Sequence, residues 1–545
     1  MIAMQTMAPI MFVGLVFVML IGFPVAFSLA ALGLLAGFVS IELGFFPAQF
    51  MANLPLRVFG ILSNELLLSI PFFTFMGAIL EKCGLAEDLL EGTGQLFGGM
   101  PGGLAYAVIL VGAVLGAITG TVAASVIAMG VISLPIMMRY GYNHRLATGV
   151  IAASGTITQV IPPSLVLVVL ADQLGKSVGD MYAGAIGPSI AQILIFIAFI
   201  FVVSLLKPHL MPPLPLEART LKGWALWKRV LWGMVPSIVL IFLVLGTIFM
   251  GLATPTEAGA MGAVGAILLA ALHKRLTWKL VREGMESTMR LTAMVIFILI
   301  GSTVFTLVFQ GVDGGVWIEH MLVSMTGGDP VTFLIIVNIF VFFLAFFLDF
   351  FEIAFIIVPL LAPVAAKLGI DLIWFGVLLC VNMQTSFMHP PFGFALFYLR
   401  GIAPKEVKSS DIYLGAIPWV VLQLLLVAIL IFWPGMVTSW LDKPVNVDTD
   451  KVQIEVQSFD EDPATKPAGG ASSEAAKQNG SGDTAPAGGT PSALPSVPAA
   501  QGVTGASGGT VPETPAAKPT EEEDLGKRLM EQIRQEQEKQ DKATK

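Results

Sequence analysis

The sequence predicts an all-α integral membrane protein of two inverted repeats, with about ten transmembrane helices and two re-entrant helical hairpins. Three observations predict it. The composition suits a bilayer better than water. Basic and weakly charged loops alternate in a way that closes only if two long apolar stretches turn back on themselves. Matching residues recur at an offset of 228 to 231 positions.

Of the 545 residues, 55% are hydrophobic and 12% charged, with a mean hydropathy of +0.82, a balance that water-soluble chains do not reach. Apolar runs such as 231–250, 291–309 and 412–433 reach the roughly 20 residues needed to cross about 30 Å of hydrocarbon. The first run, from Met7, has neither a basic flank nor a small-residue cleavage site and reads as a retained span. The formal net charge of -8 owes much to a C-terminal tail, while the loops at the membrane are basic or neutral. Nucleic-acid binding gets no support from this distribution. Cys83 and Cys380 make no disulfide framework and read as packing residues. From Asp442 the chain turns polar and then rich in Ala, Gly, Pro, Ser and Thr, so a disordered tail is expected over 442–545. Within it Leu525, Leu529 and Ile533 permit one short amphipathic helix, either solvated or docked.

Lys and Arg concentrate in the loops 139–145 (RYGYNHR), 207–229, 273–290 and 400–408, whereas 171–180, 251–256 and 310–329 carry few. The basic loops are expected on the cytoplasmic side. All spans after residue 60 obey this alternation if 101–138 and 330–366 are hairpins that return to their own side. The first is interrupted at Thr119, Gly120 and Thr121, the second between Asp349 and Glu352. Two further spans near the N-terminus leave both termini periplasmic by parity.

The offset of 228 carries Pro135 to Pro363, Arg139 to Lys367, Gly141 to Gly369, and Pro162 and Pro163 to Pro390 and Pro391. At 231, Asp180, Tyr182 and Gly184 match Asp411, Tyr413 and Gly415, and Pro24 matches Pro255. The loops RYGYNHR and KLGID match in sequence but fall on opposite faces by charge, so the two halves are inverted. Many secondary transporters follow that plan.

In each half a hairpin break precedes, by about forty residues, a span with a Pro-Pro pair: SGTITQVIPPS over 154–164 and NMQTSFMHPPFG over 382–393. Proline removes a backbone donor and clashes with the preceding turn, so these spans should unwind and free carbonyls at mid-membrane. Freed carbonyls suit cations, and half-helix N-termini suit anions. Thr119, Thr121, Ser125, Gln159, Asp349, Asn382, Gln384 and Thr385 add side-chain oxygens. Asp349 lies among Phe346, Phe347, Phe350 and Phe351, where an acid costs on the order of 2.5–3.5 kcal/mol. It is either a cation ligand or its support, or a structural hydrogen bond capping the hairpin. Thr119 and Thr121 serve a cation or ordinary helix–helix bonding. His389 is a proton carrier or a packed neutral histidine.

The stretches AITGTVAAS (117–125), AASGTITQVIPPS (152–164), ATPTEAGA (253–260), FLDFFEIAFIIVPLLAPVA (347–365) and VNMQTSFMHPPFG (381–393) lie in both halves. On them, the chain from about Met7 to Leu441 resembles the large membrane subunit of tripartite ATP-independent periplasmic (TRAP) transporters. That resemblance implies an elevator-type transporter, sodium-coupled uptake of a small organic acid or related solute, a small four-helix membrane subunit as partner, and a periplasmic solute-binding protein that delivers substrate. It also implies the bacterial inner membrane and no cofactor beyond the coupling ion.

Sodium binding is then expected at Thr119, Gly120, Thr121, Gly155, Pro162, Asp349, Thr385 and His389, and substrate binding at Ser125, Gln159, Asn382 and Gln384. The expected divisions are scaffold helices over 1–60, a first core over 61–206 with its broken helix at 146–170, a linker and further scaffold over 207–290, and a second core over 291–441 with its broken helix at 372–397. A self-sufficient sodium/carboxylate symporter or ion antiporter is the rival reading. A membrane enzyme is disfavoured, because the chain has no HExxH and its one GxSG, at 505–508, lies in the tail.

Overall fold

The computed structural model describes residues 4–219 and 223–441. The disordered tail and the short helix expected over 442–545 lie outside the described residues, and so does the side chain of Thr119. Among the described residues every regular element is helical.

The first half runs α1 (Met4–Ile21), α2 (Val25–Glu42), α3 (Leu54–Leu62), α4 (Glu65–Lys82), α5 (Leu85–Phe97), α6 (Gly103–Thr119), α7 (Val122–Arg139), α8 (His144–Thr156), α9 (Leu165–Leu174) and α10 (Val178–Leu206). The second half repeats the order as α11 (Trp224–Phe249), α12 (Pro255–Leu272), α13 (Trp278–Gly311), α14 (Gly314–Thr326), α15 (Pro330–Leu344), the single turn α16 (Phe350–Glu352), α17 (Val358–Lys367), α18 (Leu372–Met383), α19 (Phe394–Ile402) and α20 (Ser409–Phe432). A last turn, α21 (Gly435–Thr438), follows.

Matching helices begin for matching reasons. Asn143 caps α8 by accepting the Arg145 N–H, and Asp371, 228 residues on, caps α18 by accepting the Trp374 N–H. Gly141 and Gly369, just ahead of these caps, are both left-handed, at φ 78° and 72°. Between α6 and α7 the chain turns on left-handed Gly120 (φ 62°) and extended Thr121. The second hairpin turns over 345–349, and its return arm starts with α16 and a π-helical turn, Ile353–Ile357. In the RYGYNHR loop the buried hydroxyl of Tyr142 accepts the Leu104 N–H at 3.2 Å, which ties the loop to the start of the first hairpin; burial pushes this phenol up to about 12, so it stays neutral.

Among the described residues eight helices are long and apolar enough to span a bilayer, or up to ten if two bent pairs each count as one span. Both return arms, Val122–Arg139 and Phe350–Lys367, meet that length, whereas the spans expected over 146–170 and 372–397 are each divided into two shorter helices. Phe38 and Phe242 stand 68% and 72% exposed on such helices, which suits contact with acyl chains. The stretch 310–329, read above as a loop, contains α14. Ile318 and Leu322 bury one face of it, an apolar spacing too short to stand out as a span.

One difference separates the halves. α13 is a continuous helix of 34 residues, about 50 Å at 1.5 Å per residue. Its counterpart is broken at Ser63 and Asn64, where the chain bends by 46° between the stretch ending at Leu62 and α4.

Packing crosses between halves. α2 lies on α13 while α12 lies on α4, and α8 lies on α20 while α18 lies on α10. Small residues set these approaches. A Cβ on Gly415 would stand 2.3 Å from the Arg145 carbonyl oxygen, and one on Gly149 2.2 Å from that of Gly415. At the matching seam, a Cβ on Gly184 would meet Ile373 at 3.1 Å and Val437 at 2.9 Å. Contacts exchanged reciprocally between halves are what a two-fold relation generates.

Backbone cannot retreat as a flexible side chain can. Gly415→Ala is therefore expected to force α8 and α20 apart and destabilise the fold by about 1–3 kcal/mol or more. Thermal unfolding of the detergent-solubilised variant would read this, and an unchanged midpoint would contradict the close approach.

Candidate functional site

The two broken spans lie against the two hairpins. α8 continues through a 3-10 turn, Ile157–Gln159, before Pro162 and Pro163, and the helix resumes at α9, where Ser164 caps it by accepting the Val166 N–H. α18 likewise passes into Gln384–Met388 before Pro390 and Pro391, and resumes at α19. The bonds Pro162–Pro163 and Pro390–Pro391 are cis. The first hairpin seats on its break through missing side chains. A Cβ on Gly116 would stand 3.0 Å from Thr158 Cα, one on Gly112 2.7 Å from Ser154 Cβ, and one on Gly155 3.0 Å from Val126 Cα.

Gly155 thus brings the end of α8 to the first turns of α7, which hold Ser125. Ser125 is fully buried, and its hydroxyl has no hydrogen-bond partner among the described residues. Gln159 is also buried, with neither amide atom partnered, although its carbonyl accepts from Cys380 Sγ at 3.3 Å and from the Ser164 hydroxyl. Thr121 precedes α7 without capping it through its side chain, and Gly120 faces Leu165 of α9 at ordinary contact distance. Unpartnered buried oxygens of this kind are rare in folded proteins.

At the second break Thr385 donates to the Asn382 carbonyl (2.7 Å), and the Asn382 amide donates to the carbonyl and side chain of Asn338 in the second hairpin (2.8 and 3.0 Å). The buried Ser386 hydroxyl is unpartnered among the described residues. His389 is packed between aromatic rings, stacked on Phe346 at 4.1 Å and edge-on to Phe342 at 4.4 Å; its carbonyl accepts the Gly393 N–H at 2.6 Å. Asp349 and Glu352 form a capping box. The Asp349 carboxylate accepts the Phe350 N–H at 2.6 Å, and Glu352 accepts the Asp349 N–H at 3.0 Å. The acid at the second tip therefore holds the turn that presents it.

Gln384 is tied into a network that the sequence reading passes over. Gln192 of α10 donates to Gln384 Oε1 at 2.9 Å, Gln384 donates to Thr156 Oγ1 at 3.3 Å, and Gln423 of α20 donates to the same Thr156 oxygen at 3.4 Å. All four side chains are at most 1% exposed. Thr156 and Gln384 stand 228 apart, and Gln192 and Gln423 stand 231 apart, so the contact of α10 with the second break is the symmetry mate of the contact of α20 with the first. The offset that pairs the prolines would also have found these residues. Asn338 has no such signal.

Among the described residues no group of three His, Cys, Asp or Glu side chains converges. The donors near the breaks are mostly neutral hydroxyl, amide and carbonyl oxygens, the hard ligand set that suits an alkali cation better than a transition metal.

Two crossed helical repeats with paired hairpins, each seated on a helix interrupted inside an apolar bundle, define a membrane transport protein. Residues 12–436 match the family model of the tripartite ATP-independent periplasmic transporter, DctM component, and the chain belongs to that family: it is a TRAP large permease subunit. It is 30% identical over 405 residues to the C4-dicarboxylate TRAP transporter large permease protein DctM of Pseudomonas aeruginosa, covering 73% of this chain and 91% of that one. It is 28% identical to the isethionate TRAP transporter permease protein DctMQ of Oleidesulfovibrio alaskensis, covering 78% of this chain and 65% of that longer one. Among solved structures, the YdaH transporter of Alcanivorax borkumensis shares the fold with a TM-score of 0.51 at 14% identity, over 72% of this chain and 90% of that one.

Removing Gln192 leaves the buried Gln384 Oε1 without its donor, so Gln192→Ala is expected to cost about 1–3 kcal/mol, whereas Gln423→Ala takes one of two donors from Thr156 and should cost about 0.5–1.5 kcal/mol. Because both meet through Thr156 and Gln384, the double variant should depart from additivity by about 0.5 kcal/mol or more. Unfolding midpoints of the single and double variants measure this, and strict additivity would mean that the two contacts are independent.

Proposed function

We propose that this chain is the sodium-coupled permease of a tripartite uptake system in a bacterial inner membrane, with both termini on the periplasmic face. It moves a small organic anion that a periplasmic solute-binding protein delivers, alongside a small four-helix membrane subunit. The observation that carries the reading is the gathering of unpartnered buried oxygens, Ser125 and Gln159 at the first break and Ser386 at the second, where each hairpin meets its broken helix. With the backbone at Gly120, Thr121, Gly155, Pro162, Thr385 and His389, they offer two separate oxygen-rich places for sodium. The hairpins and broken spans form the body that moves against the scaffold helices in an elevator-like stroke. The relatives' substrates, C4-dicarboxylate and isethionate, support an organic anion as cargo.

In this reading Asp349 has two roles, closing the second hairpin tip and supplying negative charge beside a cation. Asp349→Ala removes both and abolishes uptake. Asp349→Asn keeps a side-chain cap acceptor, since Asn is as good a cap as Asp, and so keeps the unfolding midpoint while losing most sodium-driven uptake. Wild-type uptake by Asp349→Asn would leave Asp349 a cap alone.

The coupling is read in liposomes holding the chain with its small partner and binding protein, over a panel of carboxylates and sulfonates. Uptake should require an inward sodium gradient, and equal uptake with potassium in its place would sink the coupling. Uptake without the binding protein would point to a self-sufficient symporter.

A further inference from the structure

We propose that a cavity between the α3–α4 bend, α9, α13 and the second hairpin is an outer-face capture site for the carboxylate or sulfonate of an organic anion, with Arg57 as the charge that draws it in. This deepens the reading above and rests on it for the direction of transport.

The cavity encloses about 380 Å³ and is lined by Arg57, Asn64, Asp172, Gln173 and Thr303 together with Phe355 and Pro359 of the second hairpin, a size that admits a small organic acid. Its place follows from chain direction. α4 ends at Lys82, which pairs at 2.8 Å with Glu283 in the first turns of α13, within the basic stretch 273–290, so the opposite end of α4, at Asn64, lies on the weakly charged face. Asp172 and Gln173 close α9 at that same face, remote from RYGYNHR. One wall of the cavity is scaffold and the other is hairpin and broken span, so it lies on the seam across which the two bodies would move.

The charge is unusual there. A basic residue on the weakly charged face runs against the bias that orients the chain, and the repeat offsets put Met285 or Thr288 at the matching place. The repeat itself therefore does not require a cation at this point. Arg57 donates one hydrogen bond, to the neutral Gln310 side chain at 3.1 Å, and forms no ion pair among the described residues. Guanidinium carries five donors, which leaves enough for two-point binding of a carboxylate or sulfonate. The acid in the lining, Asp172, is tied to Asn64 (2.6 Å) and Gln173 (2.9 Å). Both of its oxygens are thus engaged by amide donors, and it forms no ion pair with Arg57 among the described residues.

The test reads the cavity without relying on transport. Thr303 lines it, and its hydroxyl bonds back within α13 to the Leu299 carbonyl at 2.8 Å, so Thr303→Cys is a mild change. Both native cysteines are buried. In proteoliposomes holding the full chain and its small partner, the thiol is reacted with sulfonate-bearing and with trimethylammonium-bearing methanethiosulfonates. The ratio of the two rates should fall roughly threefold to tenfold on adding Arg57→Gln, the size of one charge removed at close range. Succinate or isethionate should slow labelling when Arg57 is present and not when it is Gln. Arg57→Gln should also raise the KM of sodium-driven uptake with little change in kcat.

An unchanged rate ratio, or no protection by either anion, would overturn the capture site. If phosphatidylglycerol vesicles protected the thiol where phosphatidylcholine vesicles did not, a lipid headgroup would be the occupant and the free-solute proposal would fall. Loss of protection by added binding protein alone would likewise assign Arg57 to protein docking. A failure of sodium coupling leaves the labelling result untouched, so the two readings fail separately.

Discussion

The structure depends on one constraint: inside an apolar bundle a polar group must find its partner within the protein, because no water is at hand to replace it. The four side chains Gln192, Gln384, Thr156 and Gln423 answer that constraint in part across the boundary between the halves: the amide nitrogens of the three glutamines all donate, while Gln192 Oε1 and Gln423 Oε1 have no partner among the described residues. Each half supplies one long-helix glutamine and one residue at its helix break. Within this network Thr156 at the first break accepts from two residues of the second half, and Gln384 at the second break accepts from Gln192 of the first. A change in how the halves meet would strand buried amides on both sides at once.

Around this centre, contact is governed by absent side chains. Gly112, Gly116 and Gly155 let the first hairpin and first break approach to backbone distance, and Gly149 with Gly415 does the same for α8 and α20. The second hairpin uses other means, a capping box at its tip, a π-helical turn in its return arm and an aromatic packing of His389 between Phe342 and Phe346. The two hairpins are related by sequence offset yet built differently, which fits two unlike sites better than one site made twice.

Much of the architecture was legible because membrane insertion writes it into composition. Loop charge orients spans, and proline pairs mark where helices break. Those signals are local. The 46° bend at Ser63 and Asn64 was not legible. It depends on Asn64 capping α4 while its amide reaches Asp172, 108 residues away, whereas the corresponding stretch of α13 runs straight. α14 was hidden for a different reason, since a half-buried helix of 13 residues resembles a polar loop in a window tuned to spans. At the site, residue types near the breaks were readable, but their partners were not. Gln384 was read as a substrate ligand, and only the fold reveals that α10 and α20 both bring glutamines to that region.

The crossed packing also bears on how the chain is made. A polypeptide is synthesised from its N-terminus, and α2 and α4 leave the ribosome long before α13 and α12, the helices they pack against. Until then Gly33, whose missing side chain admits the α13 backbone at Phe305, and Met76, which faces Gly262 of α12, have only lipid or the insertion machinery as neighbours. The first hairpin can already seat on its own broken helix, but the faces of α2 and α4 that meet α13 and α12 stay open until the second half arrives. Assembly order is thus a property of the interlock itself, and a chain truncated between the halves would lack the partners for α2 and α4.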